Sequence, residues 1–200
     1  MVRRPPLRLR RPLGRPGQGL RRRGRAADAD FAPKLQFEPK INKSIFRINR
    51  DIRFSKDKRP YKTQVDCWFW EGPDRGRTSA GYFFRLTPEV LIIGAGIHGL
   101  IKAPLDRYRK GVDADGEALV EVMKSLDGQG YGCGGEATKR VPRGWDKDHP
   151  HAELLKRKAL FYEWSDEPPP AVHTSDFPEW VAGHYRNLSP LVNWLNAHLI

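Results

Sequence analysis

Apolar and polar residues alternate with a period of two from Phe46 to Ser55. Phe46, Ile48, Ile52 and Phe54 share one parity, and Arg47, Asn49, Asp51, Arg53 and Ser55 share the other. That period predicts a strand over 45–55 with one face on a core and a charged face turned away from it. Arg50 interrupts the apolar set, and a guanidinium buried there requires a carboxylate or several carbonyls. The alternation returns over Thr63–Trp70, where Val65, Cys67 and Phe69 oppose Gln64, Asp66, Trp68 and Trp70. Gly81–Leu86 and Glu89–Ile97 read as two more strands joined at Thr87-Pro88. Three consecutive strands with short connections favour an antiparallel meander.

Downstream the period lengthens. Pro104 opens a helix reaching Tyr108, and Asp113–Leu126 forms a second, with Leu119, Val122, Met123 and Leu126 as its core stripe. A strand over Tyr131–Thr138 follows, then a helix over Asp148–Lys158 capped by Asp148 with Pro150 in its first turn. Leu160–Trp164 reads as a short strand. Thr174 or Ser175 caps a last helical region whose stripe of Phe177, Trp180, Val181 and His184 is interrupted at Pro190 and resumes at Leu191. Strands in a run, followed mostly by helices, predict an α+β fold. Its antiparallel sheet has about four to six strands, covered mainly on one side by helices.

Two hundred residues suit one domain, placed at 26–200, with a tail at 1–25. The net charge of +12 suggests a polyanion partner until its distribution is considered. Residues 1–25 hold ten arginines and no acid, which leaves 26 basic against 24 acidic residues in the body. The tail has no apolar face at any period, so disorder is expected there. Its Arg, Pro, Gly and Leu content, all GC-rich in codons, reads more readily as off-frame or mis-started translation than as a nucleic-acid-binding arm. Arg3 and Arg4 precede no apolar signal region, and the longest apolar run, Val90–Ile101, is too short and glycine-rich to span a membrane. No membrane partner is expected. Cys67 and Cys133 lack any paired or metal-binding spacing and read as small buried residues in a reducing cytoplasm.

Candidate chemistry concentrates in two segments. Arg47, Asp51 and Arg53 share a strand face, and Lys56, Lys58, Arg59, Tyr61 and Lys62 follow in the next loop. Guanidinium forks suit phosphate or carboxylate, Asp51 can orient an arginine or act as a base, and Tyr61 can hydrogen-bond or stack. The competing reading is an internal salt-bridge network with solvated lysines. In the second segment, Lys139, Arg140 and Arg143 lead to Trp145, Asp148 and His149. His149 is the candidate acid or base. It stands four residues before Glu153, on one face of the predicted helix, but ordinary helix-start chemistry accounts for that pair and no metal is assigned. The other histidines, His98, His151, His173, His184 and His198, have no comparable company.

Two weaker signals read as structural. Gly94-Ala95-Gly96-Ile97-His98-Gly99 matches a dinucleotide fingerprint, with Asp113 at a suitable distance. Pro104 stands where the phosphate-binding helix should be established, and no βαβ unit surrounds the motif, so no cofactor is expected. Trp68, Trp70, Tyr82 and Phe84 suit core pairs better than a base-stacking platform.

The stretch INKSIFRINRDIRFSKDKRPYKT, from Ile41 to Thr63, resembles the signature of the bacterial domain of unknown function 2461 family. ATKRVPRGWDKDHPHAELLKRKAL, from Ala137 to Leu160, is similar to that family's other hallmark. The resemblance covers the chain from Phe31 to Ile200. It implies that the glycines at 94–96 end a meander strand, and that an apolar N-terminal helical region is missing or replaced. It implies no mechanism. The expected function is therefore that of an uncharacterised cytoplasmic, anion-binding domain, its enzymatic status left open. Its site would bring 47–62 against 139–153 around a phosphate-bearing small molecule or nucleotide. The alternatives are a nucleic-acid-binding module and a non-enzymatic scaffold or interaction protein.

Overall fold

Residues 31–72 and 78–200 are described by a computed structural model. The tail expected at 1–25 lies outside the described residues. Five strands form one antiparallel sheet among the described residues: β1 (Val65–Trp70), β2 (Gly81–Leu86), β3 (Leu91–Ile97), β4 (Gly132–Gly134) and β5 (Leu160–Asp166). Their order is β1-β2-β3-β5-β4, so the predicted meander forms one half and β5 inserts between β3 and the short edge strand β4. Helices α1 (Ala103–Gly128), α2 (Ala152–Leu155) and α3 (Phe177–Leu199) complete an α+β architecture.

Alternation along the central strands explains the layering. Tyr82 of β2, Leu91, Ile93, Ala95 and Ile97 of β3, and Leu160 and Tyr162 of β5 are buried together. They pack with Tyr185, Leu188, Leu191, Val192 and Leu195 of α3 and with Tyr108, Val112 and Leu119 of α1. Each large side chain so buried stabilises the fold by about 1.5–3 kcal/mol. Trp70 and Tyr82 are only 3% and 0% exposed and Phe84 is half-buried, so these aromatics serve packing as expected. The far end of α3 is fixed to the β1–β2 connection by the buried amide of Asn196. Its Oδ1 accepts from the Ala80 backbone N–H at 2.7 Å, and its Nδ2 donates to Glu71 Oε2 at 3.3 Å.

Several boundaries differ from the sequence expectation. α1 is two helical halves that meet at a break at Asp115 (φ −146, ψ 34), so the two expected helices form but their boundary lies at Asp115 and not after Tyr108. Gly111 lets α3 approach the first half closely, because a Cβ there would lie 2.6 Å from the His198 ring. At the break, Trp194 Nε1 donates to the Asp115 carbonyl at 3.1 Å and to its Oδ2 at 3.0 Å. Pro190 does not interrupt α3. The Arg186 carbonyl that proline cannot serve is satisfied by the Ser189 hydroxyl at 2.8 Å. The N-cap of α3 is Asp176, not Thr174 or Ser175. The strand expected over 131–138 contracts to β4, and the helix expected over 148–158 contracts to α2.

The glycines of β3 are required by its neighbour. Gly96 has φ +135, and a Cβ there would sit 2.3 Å from the Leu160 carbonyl oxygen. A Cβ on Gly94 would sit 3.0 Å from the Tyr162 carbonyl oxygen. The chain then reaches α1 only at Ala103, so no helix N-terminus meets these glycines. Gly96→Val should therefore destabilise the fold by about 2–4 kcal/mol in denaturant unfolding. NAD, NADP and FAD titrations should give no saturable signal with the unaltered protein.

Two histidines are desolvated within this frame. His184 lies against Trp164 and Trp180, with Tyr131 Oη 2.9 Å from its Nδ1. His98 lies among Trp68, Phe83 and Phe161, near Glu163. Burial lowers both pKa values below the ordinary 6.5. The unfolded chain then binds these protons more readily than the folded one. Their contribution to stability is complete above pH 6.5 and is lost as pH falls through the lower folded values. Chemical unfolding at pH 7.5 and 5.5 should show this decline, and His184→Phe should reduce it.

Candidate functional site

Residues 46–62 form an arm at the start of β1, not a regular strand. The arm is anchored where Phe46 N–H donates to the Asp66 carbonyl at 3.0 Å and Trp68 N–H donates to the Ser44 carbonyl at 2.8 Å. It doubles back through Arg50 N–H to the Pro60 carbonyl at 2.9 Å and Lys62 N–H to the Ile48 carbonyl at 2.8 Å. The alternation of the arm finds no second layer, because the helices pack on the strands from β2 to β5. Phe46, Ile48 and Phe54 are consequently 38%, 40% and 93% exposed.

Most arginines of the arm are paired within it. Arg53 forks onto Asp51, with Nε to Oδ1 at 2.9 Å and Nη2 to Oδ2 at 2.7 Å. Arg59 Nη2 meets Asp57 Oδ2 at 2.7 Å, and Arg50 Nη1 meets the same oxygen at 2.5 Å. The carboxylate expected for Arg50 is therefore Asp57, seven residues along the same arm and not across a core. Lys58 Nζ donates to the Ile52 carbonyl at 2.9 Å. The Arg53 hydrogen bonds hold the Asp51 carboxyl below the usual carboxylate range, and Arg59 does the same for Asp57. Asp51, expected as a base, stands as the partner of Arg53 with both oxygens engaged. The side chains of Arg47, Lys56, Tyr61 and Lys62 make no hydrogen bond or close ion pair with the described residues.

The second segment lies in the connection from β4 to β5. Lys139, Arg140 and Arg143 are exposed, all three without a side-chain ion pair among the described residues. His149 is engaged at both nitrogens. Its Nδ1 accepts from the His151 N–H at 3.0 Å, which leaves Nε2 to donate to Asp113 Oδ1 at 3.1 Å. This arrangement staples the connection to α1. His149 and Glu153 do not share a helix face, because α2 begins only at Ala152 with His151 as its N-cap. Asp148 caps nothing; its own N–H donates to Asp146 Oδ1 at 3.0 Å. Among the described residues no three His, Cys, Asp or Glu side chains are grouped to hold a metal.

The two segments do not meet in one cleft. The arm leaves the sheet at the start of β1, an edge strand, whereas the 139–153 connection joins the end of β4 to the start of β5 at the opposite edge. Four strand spacings, about 19 Å, separate these edges. The antiparallel pairing also puts the start of β1 and the start of β5 at opposite ends of the sheet. The expected convergence fails because β5 pairs with β3, which carries its preceding connection away from β1.

The structure does bring together residues that the sequence left apart. His98 lies 4.3 Å from Phe161, 6.2 Å from Phe83 and 6.4 Å from Trp68, measured between ring centroids. Asp66, 5% exposed, accepts from Arg85 Nε at 2.7 Å. The one available signal was shared strand parity, which is useful only once the β3–β5 register is known. Removing the shared acceptor by Asp57→Asn should free Arg50 and Arg59. We expect faster trypsin cleavage at Arg53, Lys56 and Lys58, with global unfolding changed by less than about 1 kcal/mol, since these ion pairs are solvated.

Residues 22–194 match a family model described as a conserved hypothetical protein, DUF2461. No curated protein and no solved structure matches the chain. No helix among the described residues is long and apolar enough to cross a membrane.

Proposed function

The chain belongs to the DUF2461 family, and we propose that within it this protein is a non-enzymatic interaction module whose 46–62 arm docks on an acidic, apolar protein surface. One observation carries this reading: three of the four arginines of the arm are neutralised internally, whereas its apolar side chains point outward. Arg50, Arg53 and Arg59 are held by Asp51 and Asp57. Phe54 is 93% exposed and Tyr61 58% exposed. A small anion would favour free guanidinium forks converging in a pocket. The arm instead offers a projecting surface in which Lys56 and Lys62 supply charge and Phe54 supplies an anchor. Ile48 and Ile41 favour a protein over a nucleic acid, because aliphatic side chains do not stack on bases. The two free thiols, Cys67 and Cys133, support a reducing cytoplasmic setting.

Fluorescence anisotropy with labelled Glu/Leu peptides, single-stranded DNA and competing inorganic phosphate tests the proposal. The peptides should bind. Phe54→Ser and Lys56→Glu should each weaken them about 5–10-fold without shifting the melting temperature. Tighter binding of the DNA, or peptide binding abolished by micromolar phosphate, would overturn this reading in favour of a nucleic-acid or anion site.

A further inference from the structure

The second half of α1 and the facing part of α3 part to leave a groove of about 460 Å³. That volume falls within the range of small-molecule sites. Val122 and Leu126 of α1 and Pro190 of α3 supply its apolar lining. The two helices run antiparallel, since Asn187 bonds to Tyr131 just past the end of α1 and Trp194 bonds to Asp115 at its break. Asn187 therefore stands with Gln129 at one end of the groove, and Glu121 stands at the other. At the rise of a helix, the chain from Glu121 to Gln129 spans about 12 Å.

The hydrogen bonds of the lining leave its acceptors unused. Tyr131, 5% exposed, has one hydroxyl proton, which serves Nδ1 of the desolvated, neutral His184 at 2.9 Å. Toward Asn187 that hydroxyl can only accept. Asn187 accordingly presents Nδ2 to it at 3.2 Å, and its Oδ1 is left without a partner among the described residues. Gln129 is oriented by the same logic. Its Nε2 donates to the Ser125 carbonyl at 3.2 Å and to the Ser125 hydroxyl at 3.1 Å, which leaves Oε1 unengaged. Arg186, the basic residue of the lining, is held by Glu179 at 2.9 Å. The exposed Glu121 carboxylate makes no hydrogen bond or ion pair with the described residues. The groove thus offers a carboxylate at one end, two amide oxygens at the other and apolar carbon between. A matching ligand brings donors and positive charge at its ends. A hydroxyl carries one donor proton, whereas a primary ammonium carries three and the charge that Glu121 lacks.

We propose that the groove between α1 and α3 binds a linear aliphatic polyamine, one terminal ammonium on Glu121 and the other on Gln129 Oε1 and Asn187 Oδ1. Its methylenes lie against Val122, Leu126 and Pro190, where they exchange water for apolar contact. A neutral chain of equal length keeps that contact and loses the charge-assisted bonds. A diamine too short to reach both ends keeps only one of them. The site shares no residue with the arm and stands independently of the function proposed for it.

Isothermal titration of the full chain at pH 7.5 with spermidine, 1,8-octanediol and 1,2-diaminoethane tests the assignment. Spermidine should bind at least about tenfold tighter than the diol or the short diamine. Glu121→Gln should weaken spermidine about tenfold and leave the diol unchanged, and Asn187→Ala should weaken spermidine about threefold. Glu89→Gln, an exposed carboxylate between β2 and β3, should leave spermidine binding unchanged, as should Phe54→Ser in the arm. Glu121 and Asn187 are both exposed, so circular dichroism melting should show each variant folded; either one gives an independent reading if the other does not fold. Absence of saturable spermidine binding, equal affinity for spermidine and the short diamine, or equal losses from Glu121→Gln and Glu89→Gln would overturn the proposal.

Discussion

The close pairing of β3 with β5 is the constraint on which the rest of the structure depends. Gly96 adopts a φ of +135, and a side chain at that position would strike the backbone of β5 at Leu160 and Phe161. Once that approach is allowed, Leu91, Ile93, Ala95 and Ile97 line up beside Leu160 and Tyr162 under the helices. The same register sets Phe161 and Glu163 beside Gly96 and Gly94 of β3 on the other face. A single requirement for absent side chains thus allows the close approach on which the core depends.

The arm follows a different logic. It has no apolar layer to lie against, and its order comes from two carboxylates that organise three guanidiniums. Such solvated pairs contribute little to global stability individually. They do limit the conformations open to a short doubled-back segment, which lowers the entropy lost when the arm meets a partner. The unpaired cations and exposed aromatic side chains then remain free to make contacts elsewhere.

The arm and the 139–153 connection occupy separate regions. His149 joins that connection to α1, close to the break at Asp115 where Trp194 and His198 also gather. The basic residues of this connection, Lys139, Arg140 and Arg143, are therefore presented by a loop fixed at its far end. Charge along the chain is local in sequence and stays local in space.

Period-two alternation over β1, β2 and β3 identified the meander, because each strand buries one face against neighbours only a short connection away. The helical stripe ending at Leu126 and the aromatic stripe of α3 were legible for the same reason. Pro104 marked the start of α1, where it stands in the first turn. The alternation from Phe46 to Ser55 was real but misleading, because a period shows which residues could share a buried face and cannot show that another layer exists. Asp57 as the partner of Arg50 required the doubled-back arm, and His149 as a staple required α1 to pass beneath it. The pairing of β5 with β3, across sixty residues of intervening chain, has no local signature. Tertiary structure alone decided that the two basic motifs stand apart and that His98 meets Phe161 and Glu163, since both outcomes follow from a register set by long-range packing.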